Sequence, residues 1–240
     1  MQEVIFLSLI VIFVVVNAVL EARELKKQHR NPITEMEKCL NYLEAISLLL
    51  VAVIAVFIMC LIGGISFHEI GFRKISFNYD FWFTAVTLTL SGLFFAFQLY
   101  QLIALLTNAK SAQTKQIDSD LSRMLPRTTK EKWLFSFLAL SAGVCEEIIF
   151  RGFLLFLIMA IFPDIPIYFV VFIPIVIFAV GHLYQGWQGI IGTALLAAIF
   201  ICLYLVTDSL ILPMLLHFLN DFIGTFAFSE EEKISEHSCN

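Results

Sequence analysis

Seven apolar stretches fill most of this 240-residue chain: Val4–Leu20, Ala45–Phe67, Phe81–Leu106, Trp133–Phe162, Ile167–Tyr184, Ile190–Thr207 and Leu210–Phe228. Each reaches at least the roughly 17 residues that a helix needs to cross a ~30 Å hydrocarbon core. Lipid offers no partner to a free backbone N–H or C=O, so apolar runs of this length are expected to close their hydrogen bonds internally, as helices. The expected fold is therefore all-α, a polytopic transmembrane helical bundle of seven to eight membrane segments. The fourth run decides between those numbers. Its 30 residues would make a helix about 45 Å long, too long for one upright span and too short for two. One tilted or kinked helix is expected there; a split or an extra short helix would give eight.

Composition agrees with a bilayer protein. Hydrophobic residues make up 60% of the chain and charged ones 15%, with a mean hydropathy of +0.89, far from soluble domains. The net charge is −5 and the 15 Lys and Arg sit almost wholly in short loops, so the basic face required by nucleic acid is missing. The five cysteines (Cys39, Cys60, Cys145, Cys202, Cys239) show no CxxC spacing and read as packing residues. Met-Gln-Glu-Val at the start carries no positive residue before the apolar run, so that run is expected to remain as a membrane helix and not to act as a cleaved signal.

Orientation follows from the loops, because Lys and Arg favour the cytoplasmic side. Five lie in Glu21–Glu44 (Arg23, Lys26, Lys27, Arg30, Lys38) and six in Asn108–Lys132 (Lys110, Lys115, Arg123, Arg127, Lys130, Lys132), against Arg73 and Lys74 in His68–Asp80. The first two loops are expected in the cytoplasm, with the N-terminus outside. The Asn108–Lys132 loop also reads as a linker between an N-terminal three-helix membrane region (1–132) and a catalytic membrane domain (133–228), which an acidic tail follows (229–240). No internal repeat is evident.

Ionisable groups inside hydrocarbon are costly and usually functional, so their positions are the sharpest guide to chemistry. Within the seven runs they are Glu146, Glu147 and Arg151 in the fourth, His182 near the end of the fifth, and His217 and Asp221 in the seventh. The remaining runs have none. Glu146 lies 13 residues past Trp133, about 20 Å along the axis, and His217 seven past Leu210, about 10 Å from the opposite face. Both fall near mid-membrane, where a cavity open to the cytoplasmic side could gather all six.

Helical spacing assigns partners. Glu147 and Arg151 are i,i+4 with the acid first, the better order for an ion pair. Glu146 is turned about 100° away and is left unpaired, which suits a general base. His217 and Asp221 are also i,i+4, so Asp221 could orient the imidazole. Phe178 and His182 share a face in the same way. A lone intramembrane pair or histidine is as often structural as functional, but six such residues on three segments point to function. The bare pattern fits a proton-coupled transporter nearly as well as a hydrolase.

Three motifs narrow that choice. Glu146-Glu147-Ile148-Ile149-Phe150-Arg151-Gly152 resembles the EExxxR signature of the CAAX prenyl endopeptidase and bacteriocin-processing family of intramembrane proteases, also called the Abi family. Phe178-Ala179-Val180-Gly181-His182 is similar to its second motif, FxxxH, and His217-Phe218-Leu219-Asn220-Asp221 to its third, Hxxx followed by Asn or Asp. Each pattern is loose alone; three in order, each in its own apolar segment, are specific. The resemblance spans about Trp133–Phe228.

What the resemblance implies is peptide-bond hydrolysis of a membrane-associated substrate, either a prenylated CAAX-type C-terminus or a bacteriocin-like leader peptide. Glu146 would activate water and Glu147 would be held by Arg151. His182, His217 and Asp221 would position the water and stabilise the oxyanion, or bind a metal. Phe178 would contact substrate or pack. Two histidines and a carboxylate make a zinc donor set, although no HExxH is present. Asp221 departs from the prenyl-protease branch, which tends to carry Asn there. The alternative is a non-enzymatic membrane protein, either a proton-linked transporter or an immunity or scaffold protein of the same fold. Many transporters show internal symmetry and this chain does not.

Overall fold

A computed structural model describes residues 1–28, 33–107 and 125–223. The end of the seventh run (224–228), the tail 229–240 and the loop residues Arg30, Lys110, Lys115 and Arg123 lie outside the described residues. Among those described there is no strand, and helices form at all seven apolar runs. They are α1 (Gln2–Gln28), α2 (Glu35–Gly63), α3 (Phe81–Leu106), α4 (Thr129–Glu146), a π-helical stretch (Glu147–Leu154), α5 (Leu155–Ile161), α6 (Ile167–Gly181), α7 (Gly186–Thr207) and α8 (Ile211–Ile223). The fourth run is one continuous rod, because Glu146, Glu147, Leu154 and Leu155 keep right-handed helical dihedrals across both junctions. At its centre the winding widens to i→i+5, a feature common at functional sites.

The fifth run differs from its expected helix. The α6 helix ends at Gly181, and His182, at φ −108° and ψ 21°, leads into a single 3-10 turn, Leu183–Gln185. His182 therefore sits in the turn beyond the helix and not inside it. Its imidazole Nδ1–H donates to the carbonyl of Phe178 at 2.9 Å, so the side chain satisfies one of the carbonyls that a helix end leaves open.

Among the described residues four helices are long and apolar enough to cross a membrane, and α6 and α8 are shorter apolar helices. The rod that holds Glu146, Glu147 and Arg151 is divided by its π-helical stretch into shorter elements. The chain is an integral membrane protein. Of the apolar window of α7, 44% is buried, against 22%, 17% and 17% for α1, α2 and α3, so α7 is central and the first three helices present most of their surface outward. They do so selectively: Phe6, Ile10, Val14 and Ala18 of α1 form a buried stripe at four-residue spacing. One apolar cluster joins Phe6 and Val14 of α1, Val56 of α2, Phe153 of the π stretch, Phe178 of α6 and Ile201 of α7, so both halves of the chain share a core.

Two equivalent caps fix the relative direction of α2 and α4. In each, a threonine hydroxyl accepts from the backbone N–H of a glutamate three residues on, and that glutamate accepts from the threonine N–H (Thr34 with Glu37, Thr128 with Glu131). The two helix starts lie side by side. Buried Lys38 donates to the Leu125 carbonyl at 3.0 Å and stands 3.8 Å from the Glu131 carboxylate. The starts of α2 and α4 therefore meet at one face of the bundle. At the opposite face Arg73 pairs with the Asp208 carboxylate and donates to its carbonyl, the Ser76 N–H donates to the Thr207 carbonyl at 2.9 Å, and the Leu210 N–H donates to the Gly71 carbonyl at 3.1 Å. Asp208 holds φ +54° and anchors this clasp. With the positive-inside rule, a cysteine at position 115 is expected to resist membrane-impermeant labelling from outside, and one at His68 to react. Labelling of position 115 in intact cells reverses the orientation.

Candidate active site

The site is built around one imidazole. His217, on α8, is 6% exposed, and its Nδ1–H donates to Glu147 Oε1 at 2.7 Å. Its Nε2 lies 3.4 Å from Asp221 Oδ2, one turn along the same helix, and 3.7 Å from Glu146 Oε2. The two adjacent glutamates thus do not face unrelated surroundings, as a 100° turn alone suggests; they flank opposite nitrogens of the same ring. Because an ionised carboxylate accepts only, Nδ1 carries hydrogen and Nε2 is the nitrogen turned toward Glu146 and Asp221.

Glu147 and Arg151 are both fully buried, with Arg151 Nη1 3.0 Å from Glu147 Oε1. That separation is an ion-pair distance, but no guanidinium nitrogen is aligned for a hydrogen bond. The cation is held instead by charge and by aromatic faces: its Cζ stands 4.4 Å from the Phe178 ring centroid and 5.5 Å from that of Phe200. Glu146 differs in both respects. Its side chain is 16% exposed and its Oε2 has no hydrogen-bond partner among the described residues. Exposure grades from none at Glu147 through 8% at His217 and 16% at Glu146 to 29% at Asp221, which identifies the side from which water reaches the ring.

Phe178 stands between the two histidines, with ring centroids 4.5 Å from His182 and 6.3 Å from His217. It is buried, with Phe150 against it edge-on at 4.9 Å, an arrangement that packs the site and leaves little ring surface for a substrate. The Phe178 carbonyl takes the Nδ1–H of His182, so Nε2 is the open nitrogen of that ring as well. Phe200 of α7 stacks on His217 at 5.4 Å.

The approach of α8 to α4 depends on Gly143. A methyl group there would lie 2.7 Å from the Phe218 nitrogen and 2.9 Å from its Cα, both backbone atoms that cannot step aside. This contact sits one turn before Glu147 and directly beside His217. Gly143→Val is expected to push α8 outward, break the 2.7 Å bond and lower kcat/KM by about 10²-fold, the cost of roughly 1 Å of misplacement. Wild-type turnover by this variant would show that helix spacing does not set the site. A second glycine acts similarly just beyond Arg151: a methyl at Gly152 would lie 2.6 Å from the Ile70 carbonyl, where the loop between α2 and α3 docks.

Sequence reading missed three residues near this centre. Phe200 and Asn220 are unremarkable in an apolar run, and Gln98 lies on α3, which has no ionisable residue. A buried amide amid apolar neighbours was the available signal for Gln98.

The zinc expectation has a geometric test. Among the described residues, no three His, Cys, Asp or Glu side chains converge so as to hold a metal ion.

Comparison with known proteins adds a family. Residues 128–223 match the family model described as type II CAAX prenyl endopeptidase Rce1-like. No curated protein and no solved structure matched the chain.

Proposed function

We propose that this membrane protein, whose residues 128–223 match the family model described as type II CAAX prenyl endopeptidase Rce1-like, hydrolyses a peptide bond in a prenylated, CAAX-type C-terminus with Glu146 as the general base. One observation carries the assignment: of two adjacent glutamates flanking His217, one is buried against Arg151, and the other is partly exposed with an oxygen that accepts no hydrogen bond among the described residues. Water beside Glu146 gives its proton to the carboxylate while its oxygen attacks the scissile carbonyl carbon. The tetrahedral oxyanion is met by Nε2–H of His217 in its imidazolium form, whose Nδ1–H is held by Glu147 and whose Nε2 edge faces Asp221, with His182 fixed beside it by the Phe178 carbonyl. Collapse breaks the C–N bond as Glu146 returns the proton to the leaving amine. Asp221 orients His217 from the exposed side. Arg151 neutralises Glu147, so that the base is not one of two uncompensated neighbouring anions. No step is routed through a metal.

Detergent-purified protein incubated with prenylated CAAX peptides, their unprenylated counterparts and leader peptides is expected to release a short C-terminal peptide from the prenylated set alone. Cleavage confined to leader peptides would reassign the substrate. Failure of folded protein to cut any of the panel would count against the proteolytic reading. Elemental analysis of the same sample is expected to find no stoichiometric metal, with cleavage surviving chelators; abolition by chelators and recovery with zinc would overturn the metal-free mechanism.

A further inference from the structure

The geometry points to Gln98 as a positioning residue of this centre, acting on His217 through Asn220 and Asp221; the inference rests on the proposed hydrolytic role of the site and extends it to a helix outside the matched region. Gln98 is only 4% exposed on α3, whose other surface is largely apolar and outward-facing. Its Nε2–H donates to Asn220 Oδ1 at 2.8 Å, and Asn220 Nδ2–H donates to Asp221 Oδ1 at 3.1 Å. The other Asp221 oxygen is the one 3.4 Å from His217 Nε2. The chain runs from amide to amide to carboxylate to imidazole, each donor meeting an acceptor.

The direction of this chain is fixed at both ends. Were the Asn220 amide reversed, its NH2 would face the NH2 of Gln98 and its carbonyl would face the Asp221 carboxylate, two repulsive contacts in place of two hydrogen bonds. The Asp221 carboxylate, which only accepts, sets which way Asn220 points, and Gln98 holds the other end of that amide in place, so that one Asp221 oxygen is engaged and the other turns to the ring. At a side chain 29% exposed, nothing in the helix geometry alone would hold that rotamer.

The same face of α3 supports the ring a second time. Phe94, four residues before Gln98, packs edge-on against Phe200 at 6.2 Å, and Phe200 stacks on His217 at 5.4 Å. Phe94 backs the face of the imidazole while Gln98 governs its Nε2 edge. This gives α3 a task that the segment 128–223 cannot perform for itself.

The test measures carbethoxylation of His217 by diethylpyrocarbonate, relative to His182 in the same molecule, by peptide mass spectrometry on the full-length purified chain. Carbethoxylation needs a nitrogen free of its proton, and with Nδ1–H held by Glu147 that nitrogen is Nε2, whose proton the Asp221 carboxylate holds in place. Gln98→Leu is expected to raise the His217 to His182 ratio about threefold or more, the scale of one lost hydrogen bond. Thr87→Val, a buried polar change elsewhere on α3, is expected to leave it unchanged. On any peptide that is cut, Gln98→Leu should lower kcat about tenfold with KM little altered, and adding Asn220→Leu should cost nothing more, since both break one chain. An unchanged ratio, or an equal rise at both histidines, would overturn the positioning role. A raised ratio in a protein that cuts no peptide would leave the relay standing and remove the proteolytic reading instead.

Discussion

Glu146→Gln is expected to lower kcat for peptide cleavage by about 10²–10⁴-fold, the usual loss when a positioned base is removed, with no change in the yield of folded protein. The substitution keeps nearly the same volume and removes only the ability to take a proton. Folding should tolerate it because Glu146 makes no hydrogen bond that the amide would break; its Oε2 has none, and its nearest ring nitrogen is 3.7 Å away. The matching change at Glu147 should behave differently. Glu147→Gln leaves Arg151 fully buried with no anion beside it and weakens the acceptor for His217 Nδ1, so it should impair folding as well as turnover. The contrast between these neighbours is the discriminating result. Turnover by Glu146→Gln equal to wild type would take Glu146 out of the base role, and equal loss of folded protein in both variants would make the two glutamates a structural pair.

Arg151→Ala is expected to destabilise the folded chain by about 3–5 kcal/mol, the cost of leaving one member of a buried ion pair without its partner. The loss has a second source in the aromatic cage. Phe178 and Phe200 both face the guanidinium, and Phe178 in turn separates His182 from His217. Removing the cation therefore loosens the packing of both histidines. Arg151→Lys should restore little, because a compact ammonium cannot spread over two ring faces as a planar guanidinium does. Replacing both partners, Glu147→Gln with Arg151→Met, should recover folding without activity, since two neutral side chains of similar volume remove the buried charge yet leave His217 Nδ1 without its carboxylate. Yield of monodisperse protein after extraction and its unfolding in denaturant check the order. Arg151→Ala expressed and active at wild-type level would refute the pair as a support of the site.

The ion pair was legible because it is local. Glu147 and Arg151 lie four residues apart on one helix, and helical periodicity brings such residues together whatever surrounds them. The seven apolar runs were legible for a comparable reason: the bilayer dictates length and polarity segment by segment, without reference to neighbours. The confinement of Glu146, Glu147, Arg151, His182, His217 and Asp221 to three of those runs pointed to function before any fold was known.

Tertiary structure decided what depends on how helices pack. The bond from His217 to Glu147 joins residues 70 apart, and it exists because Gly143 admits the backbone of Phe218; a glycine in an apolar run gives no sign of which helix will lie on it. The placement of His217 between Glu146 and Glu147 comes from α8 packing beside them, which the period of their own helix does not anticipate. The position of His182 beyond the end of α6 arose from its own bond to the Phe178 carbonyl, a competition between side chain and backbone that hydropathy does not register. Gln98 and Asn220 carry no charge and follow no period, so only the packing of α3 against the centre reveals what they hold. Sequence by itself determined which segments enter the membrane and which of their residues are chemically able to act, because those properties belong to single helices. Which nitrogen faces which carboxylate belongs to contacts between helices, where sub-ångström fit between side chains far apart in the chain sets the outcome.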